Sequence, residues 1–206
     1  MNVNHKLDTM LEAAGTAPLT GEPARAAARF VDRAAAEGLA DVAYATVDSP
    51  LGPLLAAATP RGLVRLAYDH NDFDAVLDRL AARTSPRVIE APGRLDEVRR
   101  ELEDYFAGDR RHFELAIDWA LVGPFARRVL EATAGIAYGD LSTYKEVAAR
   151  AGNPRASRAT GNALGANPVP IVVPCHRVVR TGGGLGGYTG GLDNKRALLA
   201  IEGVEP

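Results

Sequence analysis

The chain reads as an α+β protein, with a small antiparallel sheet in an N-terminal domain and a mainly helical C-terminal domain that contains a helix-turn-helix. Three observations predict this. Residues 42–68 hold short apolar runs of strand length separated by Gly/Pro turns, and residues 72–107 switch to helical spacing. Beyond residue 121 nearly all the periodicity is helical, broken by short turns that contain glycine. Strands then helices come in blocks, which is an α+β arrangement. At 206 residues the chain is long enough to bury a real core, as one domain or as two small ones.

Residues 1–40 are Ala-rich and polar. Thr20, Glu22 and Pro23 mark a helix start, and Ala27, Phe30, Val31 and Ala34 fall on one face, so a leader with one amphipathic helix is expected. Residues 41–120 form the α+β domain. Val42–Val47 reads as a strand, Ser49–Gly52 as a turn, Leu54–Ala58 as the returning strand and Gly62–Tyr68 as a third. Helices are expected over 72–83, with Val76, Leu77 and Leu80 inward, and over 94–107, with Leu95, Val98, Leu102, Tyr105 and Phe106 inward. No chemical motif lies in this stretch.

In residues 121–206, Phe125, Val129, Leu130 and Ile136 mark a first helix, closed by Tyr138-Gly139-Asp140. A second helix starts at Ser142–Glu146, where Thr143 and Glu146 have capping-box spacing. Gly152-Asn153-Pro154 ends it and begins a third through Arg155–Gly165. Helix, short turn, helix is the helix-turn-helix pattern. The third helix is built from small residues, and each of Gly161 and Gly165 costs it about 1 kcal/mol relative to alanine. Either tight packing within the protein or insertion into a narrow groove outside it would account for them.

Charge is distributed unevenly. From residue 121 onward there are ten basic and six acidic residues, net +4, against fourteen basic and twenty acidic before it, net −6. A nucleic-acid face on the C-terminal domain is the expectation. No apolar run approaches a membrane span and no signal pattern opens the chain, so a cytoplasmic protein with no membrane partner is expected. One cysteine excludes an intramolecular disulfide, and four histidines scattered at 5, 70, 112 and 176 argue against a structural metal site. Gly182–Gly191 contains a formal GxGxxG, but it neither follows a strand nor opens a helix directly, so a dinucleotide site is rejected.

The chemistry concentrates in Asn167-Pro-Val-Pro-Ile-Val-Val-Pro-Cys175-His176-Arg177-Val-Val179. A free cysteine is only a few per cent thiolate at neutral pH, and His176 and Arg177 are neighbours of the kind that raise that fraction. This segment resembles the Pro-Cys-His-Arg signature of the O6-alkylguanine-DNA alkyltransferases, the methylated-DNA-protein-cysteine methyltransferases. The similarity runs from about residue 121 to 203. It departs at Ala126 and Leu130, where many members carry glutamine and tryptophan, and it does not extend to the leader.

The resemblance implies direct-reversal DNA repair: irreversible, single-turnover transfer of an alkyl group from O6 of a flipped-out guanine, or from O4 of thymine, to Cys175, with no cofactor. It implies a catalytic set of Cys175, His176 and Glu202, linked to the thiol through a water, with Tyr144 donating to the base and Asn167 holding the turn. It places Arg158 as the finger that fills the emptied stack, and Arg155, Ala156, Ala159, Thr160 and Gly161 on the minor groove of double-stranded DNA, largely independent of sequence. Pro170, Val173, Tyr188 and Thr189 would line the base pocket of a monomer. Two other readings remain open at this point: a non-catalytic protein that flags alkylated lesions, and a helix-turn-helix sensor of alkylation or redox state.

Overall fold

A computed structural model describes residues 40–205. The expected leader helix lies outside the described residues. The first strands follow the sequence reading: β1 (Val42–Val47), β2 (Leu54–Thr59) and β3 (Gly62–Tyr68) pair antiparallel in succession. The sheet is not purely antiparallel, however. A fourth strand, β4 (Val88–Glu90), pairs parallel to β1 and gives the order β3-β2-β1-β4. Helix α1 (Phe73–Arg83) carries the chain from β3 to β4, and α2 (Asp96–Ala107) follows a 3-10 turn at Pro92–Leu95.

The sheet is covered on both faces, and the period of two divides its side chains. Leu55 and Ala57 turn toward α1 and pack with Val42, Val64, Val76 and Leu80. Leu54 and Ala56 turn the other way, into a larger core shared with α2 and the C-terminal helices, including Leu102, Tyr105, Val147 and Leu198. This double burial is why β2 reads as a continuous apolar run rather than an alternation.

The C-terminal part contains α3 (Pro124–Ala134), α4 (Tyr144–Arg150), α5 (Ser157–Gly165) and α6 (Leu192–Ile201). Helix α3 stops at Ala134, so Ile136 is a buried loop residue rather than part of the helix. The capping box is present: Glu146 N donates to Thr143 Oγ1, and Thr143 N donates to the Glu146 carboxylate at 2.7 Å. Helix α5 starts two residues later than expected, so Arg155 and Ala156 belong to the turn before it. A two-residue parallel pair, β5 (Ser142–Thr143) with β6 (Val178–Val179), ties the start of α4 to the segment after Cys175.

The two parts join through backbone as well as core. Leu66 N donates to Pro168 O at 2.8 Å, so β3 holds the segment that leads from α5 to the cysteine. Among the described residues no helix is long and apolar enough to cross a membrane.

Candidate active site

Residues 167–175 form a tightly bonded bend. Asn167 Oδ1 accepts from Val169 N at 3.1 Å, while its Nδ2 donates to Val173 O at 2.9 Å and to Cys175 Sγ at 3.1 Å. Ile171 sits at φ 73°, a left-handed conformation that a β-branched residue adopts only under constraint, and strain of this kind gathers at functional sites. The bend delivers Cys175, His176 and Arg177 on one 3-10 turn, all three buried.

Burial pushes the Cys175 thiol up to about 11, against the opposing pull of the Asn167 amide and the positive charge of Lys195. In the free protein the sulfur is therefore a thiol at neutral pH. This corrects the expectation for Arg177. Its guanidinium turns away from the sulfur, donating through Nε and Nη2 to Glu202 at 2.9 Å each and through Nη1 to Ile136 O.

Glu202, just past the end of α6, is the hub of a buried network. Oε1 accepts from Tyr105 Oη at 2.7 Å and lies 2.8 Å from His176 Nε2, while Oε2 accepts from Gly139 N at 3.2 Å. Burial alone would raise this carboxyl, but the bonds from His176, Arg177 and Tyr105 overcome it and hold it at about 2. The carboxylate is ionised, so His176 Nε2 carries the proton that it donates to Oε1. Burial, outweighing the carboxylate, lowers the imidazole's own pKa and keeps it neutral. Nδ1 is then a lone-pair acceptor, and it is buried with no hydrogen-bond partner in the described protein.

Cys175 opens onto a cavity of about 730 Å³ whose lining includes Tyr144, Arg158, Gly161, Tyr188 and Thr189. Tyr144 is the first residue of α4. Its hydroxyl lies at the hydrogen-bond limit from Gly187 O, 3.5 Å, and partial burial raises its pKa. The glycine loop fits over it: a Cβ at Gly186 would lie 2.6 Å from that hydroxyl. Tyr188 Oη shares a 2.6 Å hydrogen bond with Tyr68 Oη at the end of β3, and a Cβ at Gly190 would strike both rings. Thr189 Oγ1 donates to Gly165 O at 2.9 Å, joining this loop to the end of α5.

The structure thus brings Cys175, His176, Glu202, Asn167 and Tyr144 into one site, with Arg158, Gly161, Tyr188 and Thr189 lining its cavity. Other expected residues differ. Thr160 is fully buried on the inner side of α5, so it does not present itself to DNA; the exposed residues of that helix are Arg158, Ala159, Asn162 and Gly165. Pro170 and Val173 are buried and do not line the cavity, and Val173 O accepts from both Asn167 Nδ2 and Cys175 N. Sequence reasoning missed Tyr105, Tyr68 and Lys195. Lys195 is fully buried, donates to Val178 O and Leu185 O, and has its pKa brought down to about 8 by burial. Its spacing from Leu198 and Leu199, three and four residues on, was the available signal that it shares their buried face.

Two family models match nearly all of the described chain. The one described as 6-O-methylguanine DNA methyltransferase, ribonuclease-like domain, matches residues 42–119, and the one described as 6-O-methylguanine DNA methyltransferase, DNA binding domain, matches residues 124–204. A methylated-DNA–protein-cysteine methyltransferase of Methanosarcina acetivorans is 38% identical over 78% of this chain and 97% of its own length. One from Mycobacterium bovis is 39% identical over 77% and 91%. The crystal structure of Mycobacterium tuberculosis OGT in complex with DNA is 37% identical, with a TM-score of 0.68 over 78% of this chain and 93% of that one.

Proposed function

The chain belongs to the 6-O-methylguanine DNA methyltransferase family, and from that premise we propose that it is a methylated-DNA-protein-cysteine S-methyltransferase, repairing O6-alkylguanine in double-stranded DNA by moving the alkyl group onto Cys175. Residues 121–206 act on DNA through α4 and α5 as a helix-turn-helix, and residues 41–120 serve as a non-catalytic partner. The protein works as a cytoplasmic monomer.

The observation that carries this reading is a lone cysteine at the base of a 730 Å³ cavity, beside a neutral imidazole held in one tautomer by a buried carboxylate. A base stacked in a duplex cannot reach such a site, so the nucleotide is rotated out, with Arg158 filling the stack. The glycines of α5 support an outside partner. A Cβ at Gly161 would meet only ordinary contact with the Tyr144 ring at 3.7 Å, and one at Gly165 would meet nothing. Packing within the protein requires neither, whereas a minor groove about 6 Å wide rewards a slim helix.

In the reaction the Cys175 proton passes through a water to His176 Nδ1, and the thiolate attacks the alkyl carbon. The S–C bond forms as the C–O6 bond breaks, and the electron pair leaves with the base. Tyr144 donates to the ring nitrogen N3 as charge builds there and recovers a proton from the relay, so the guanine departs neutral. The imidazolium formed in passing is stabilised by Glu202. The product is a thioether, which water does not cleave, and each molecule acts once; O4-alkylthymine offers the same leaving-group chemistry. Cys175→Ala tests the assignment: it should bind lesion duplex as tightly as the unaltered protein and take up no alkyl group. Transfer by that variant would contradict it.

A further inference from the structure

Another cavity, of about 110 Å³, lies where α1 and β3 meet the segments that precede α3 and follow α5, and it shares no lining residue with the cysteine pocket. Its walls include Leu80, Leu121 and Pro168, and three arginines converge on it: Arg65 from β3, with Arg79 and Arg83 one turn apart on α1. None of the three has a carboxylate within 4 Å among the described residues, a condition eight other described arginines share; what sets this group apart is that all three line one cavity and that one of them carries a buried, unpaired donor.

Arg83 Nη2 reaches only Leu121 O, at 3.4 Å, and Arg65 Nε is buried with no partner at all. Burial and the neighbouring charge of Arg79 both disfavour the charged form of Arg65. The buried, unpaired Nε of Arg65 beside the charge of Arg79 is the unfavourable feature, and an anion in the cavity would satisfy the first and offset the second. The volume holds roughly three or four waters at ~30 Å³ each, room for one tetrahedral oxyanion. Guanidinium groups arriving from two elements suit a phosphate, whose oxygens accept in several directions.

We propose that this arginine-lined groove is a phosphate-binding site, separate from the alkyl-acceptor pocket. Its position gives it a place in DNA binding: Leu164 and Gly165 line the cysteine pocket, and Ala166 and Pro168, immediately after them, line the groove. The phosphate is either a backbone group of the duplex that α5 engages or a free phosphate.

The test uses the full chain and needs no alkyl transfer, so it stands or falls independently of the repair reading. Thermal unfolding in inorganic phosphate is compared with chloride at equal ionic strength, for the unaltered protein, for Arg79→Ala/Arg83→Ala, whose side chains are exposed, and for Arg65→Lys. Phosphate should raise the midpoint of the unaltered protein, and the double variant should weaken phosphate at least tenfold. Binding of an undamaged duplex is measured across salt in parallel. A duplex affinity that falls in the double variant, with the slope of log K against log salt reduced by about one, identifies the backbone as the source. Loss of the phosphate effect with unchanged duplex binding identifies a free phosphate. No effect of phosphate beyond chloride, together with unchanged duplex binding, overturns the proposal.

Discussion

Glu202→Gln is the substitution that most directly probes the buried network, because it keeps the shape of the side chain and removes its charge. Five donor groups point at this carboxylate: Tyr105 Oη, His176 Nε2, Arg177 Nε and Nη2, and Gly139 N. Its pKa falls from an ordinary 4.5 to about 2. A depression of that size corresponds to about 3 kcal/mol, in the range of the 3–5 kcal/mol typical of leaving a buried partner charge uncompensated. Here the stranded charge is Arg177, with an amide N–H turned toward it. We expect the variant to lose about 3 kcal/mol at pH 7, a fall in unfolding midpoint on the order of 6–12 °C.

The sign of the pH dependence follows from the same shift. A depressed carboxyl contributes stability above its unfolded value, and that contribution disappears as pH falls from about 4.5 toward about 2. Urea unfolding read by the fluorescence of Trp119, the only tryptophan, should show the full gap between the two proteins at pH 7 and a closing gap below pH 4.5. A loss under 1 kcal/mol at pH 7, or a gap that persists unchanged near pH 2, would refute the reasoning.

Two further outcomes rest on the cysteine bend. Asn167→Ala strips buried donors and acceptors from Val169 N, Val173 O and the sulfur, and should cost about 2–4 kcal/mol by denaturant unfolding while slowing single-turnover transfer more than it weakens DNA binding. Because burial holds the free thiol at about 11, iodoacetamide should label Cys175 with a rate that climbs about tenfold per pH unit through pH 7–9, whereas the urea-unfolded chain levels off near pH 8.5; a native plateau near pH 8 would contradict that assignment.

Much of this structure was legible in local patterns. Strands β1 to β3, with their Gly/Pro turns, and the inward faces of α1 and α2 follow from spacing, and the capping box at Thr143 and Glu146 fell where its two residues predict. What escaped is long-range. Strand β4 has three residues and gains its identity only by pairing with β1, forty-odd positions away. Thr160 looks like any polar residue on a helix of alternating character, and only the packing of α5 decides that it faces inward. Arg177 is two residues from the thiol in sequence, yet the turn sends its guanidinium to Glu202. Tyr68 and Tyr105 carried no signal because their partners, Tyr188 and Glu202, lie about a hundred residues on.

The most direct measurement of the central claim is intact and peptide mass spectrometry after mixing the protein with a slight excess of duplex containing one O6-methylguanine. The account predicts a single added methyl on the peptide that bears Cys175, with one guanine restored per protein molecule. Binding of the duplex with no change in protein mass would contradict it.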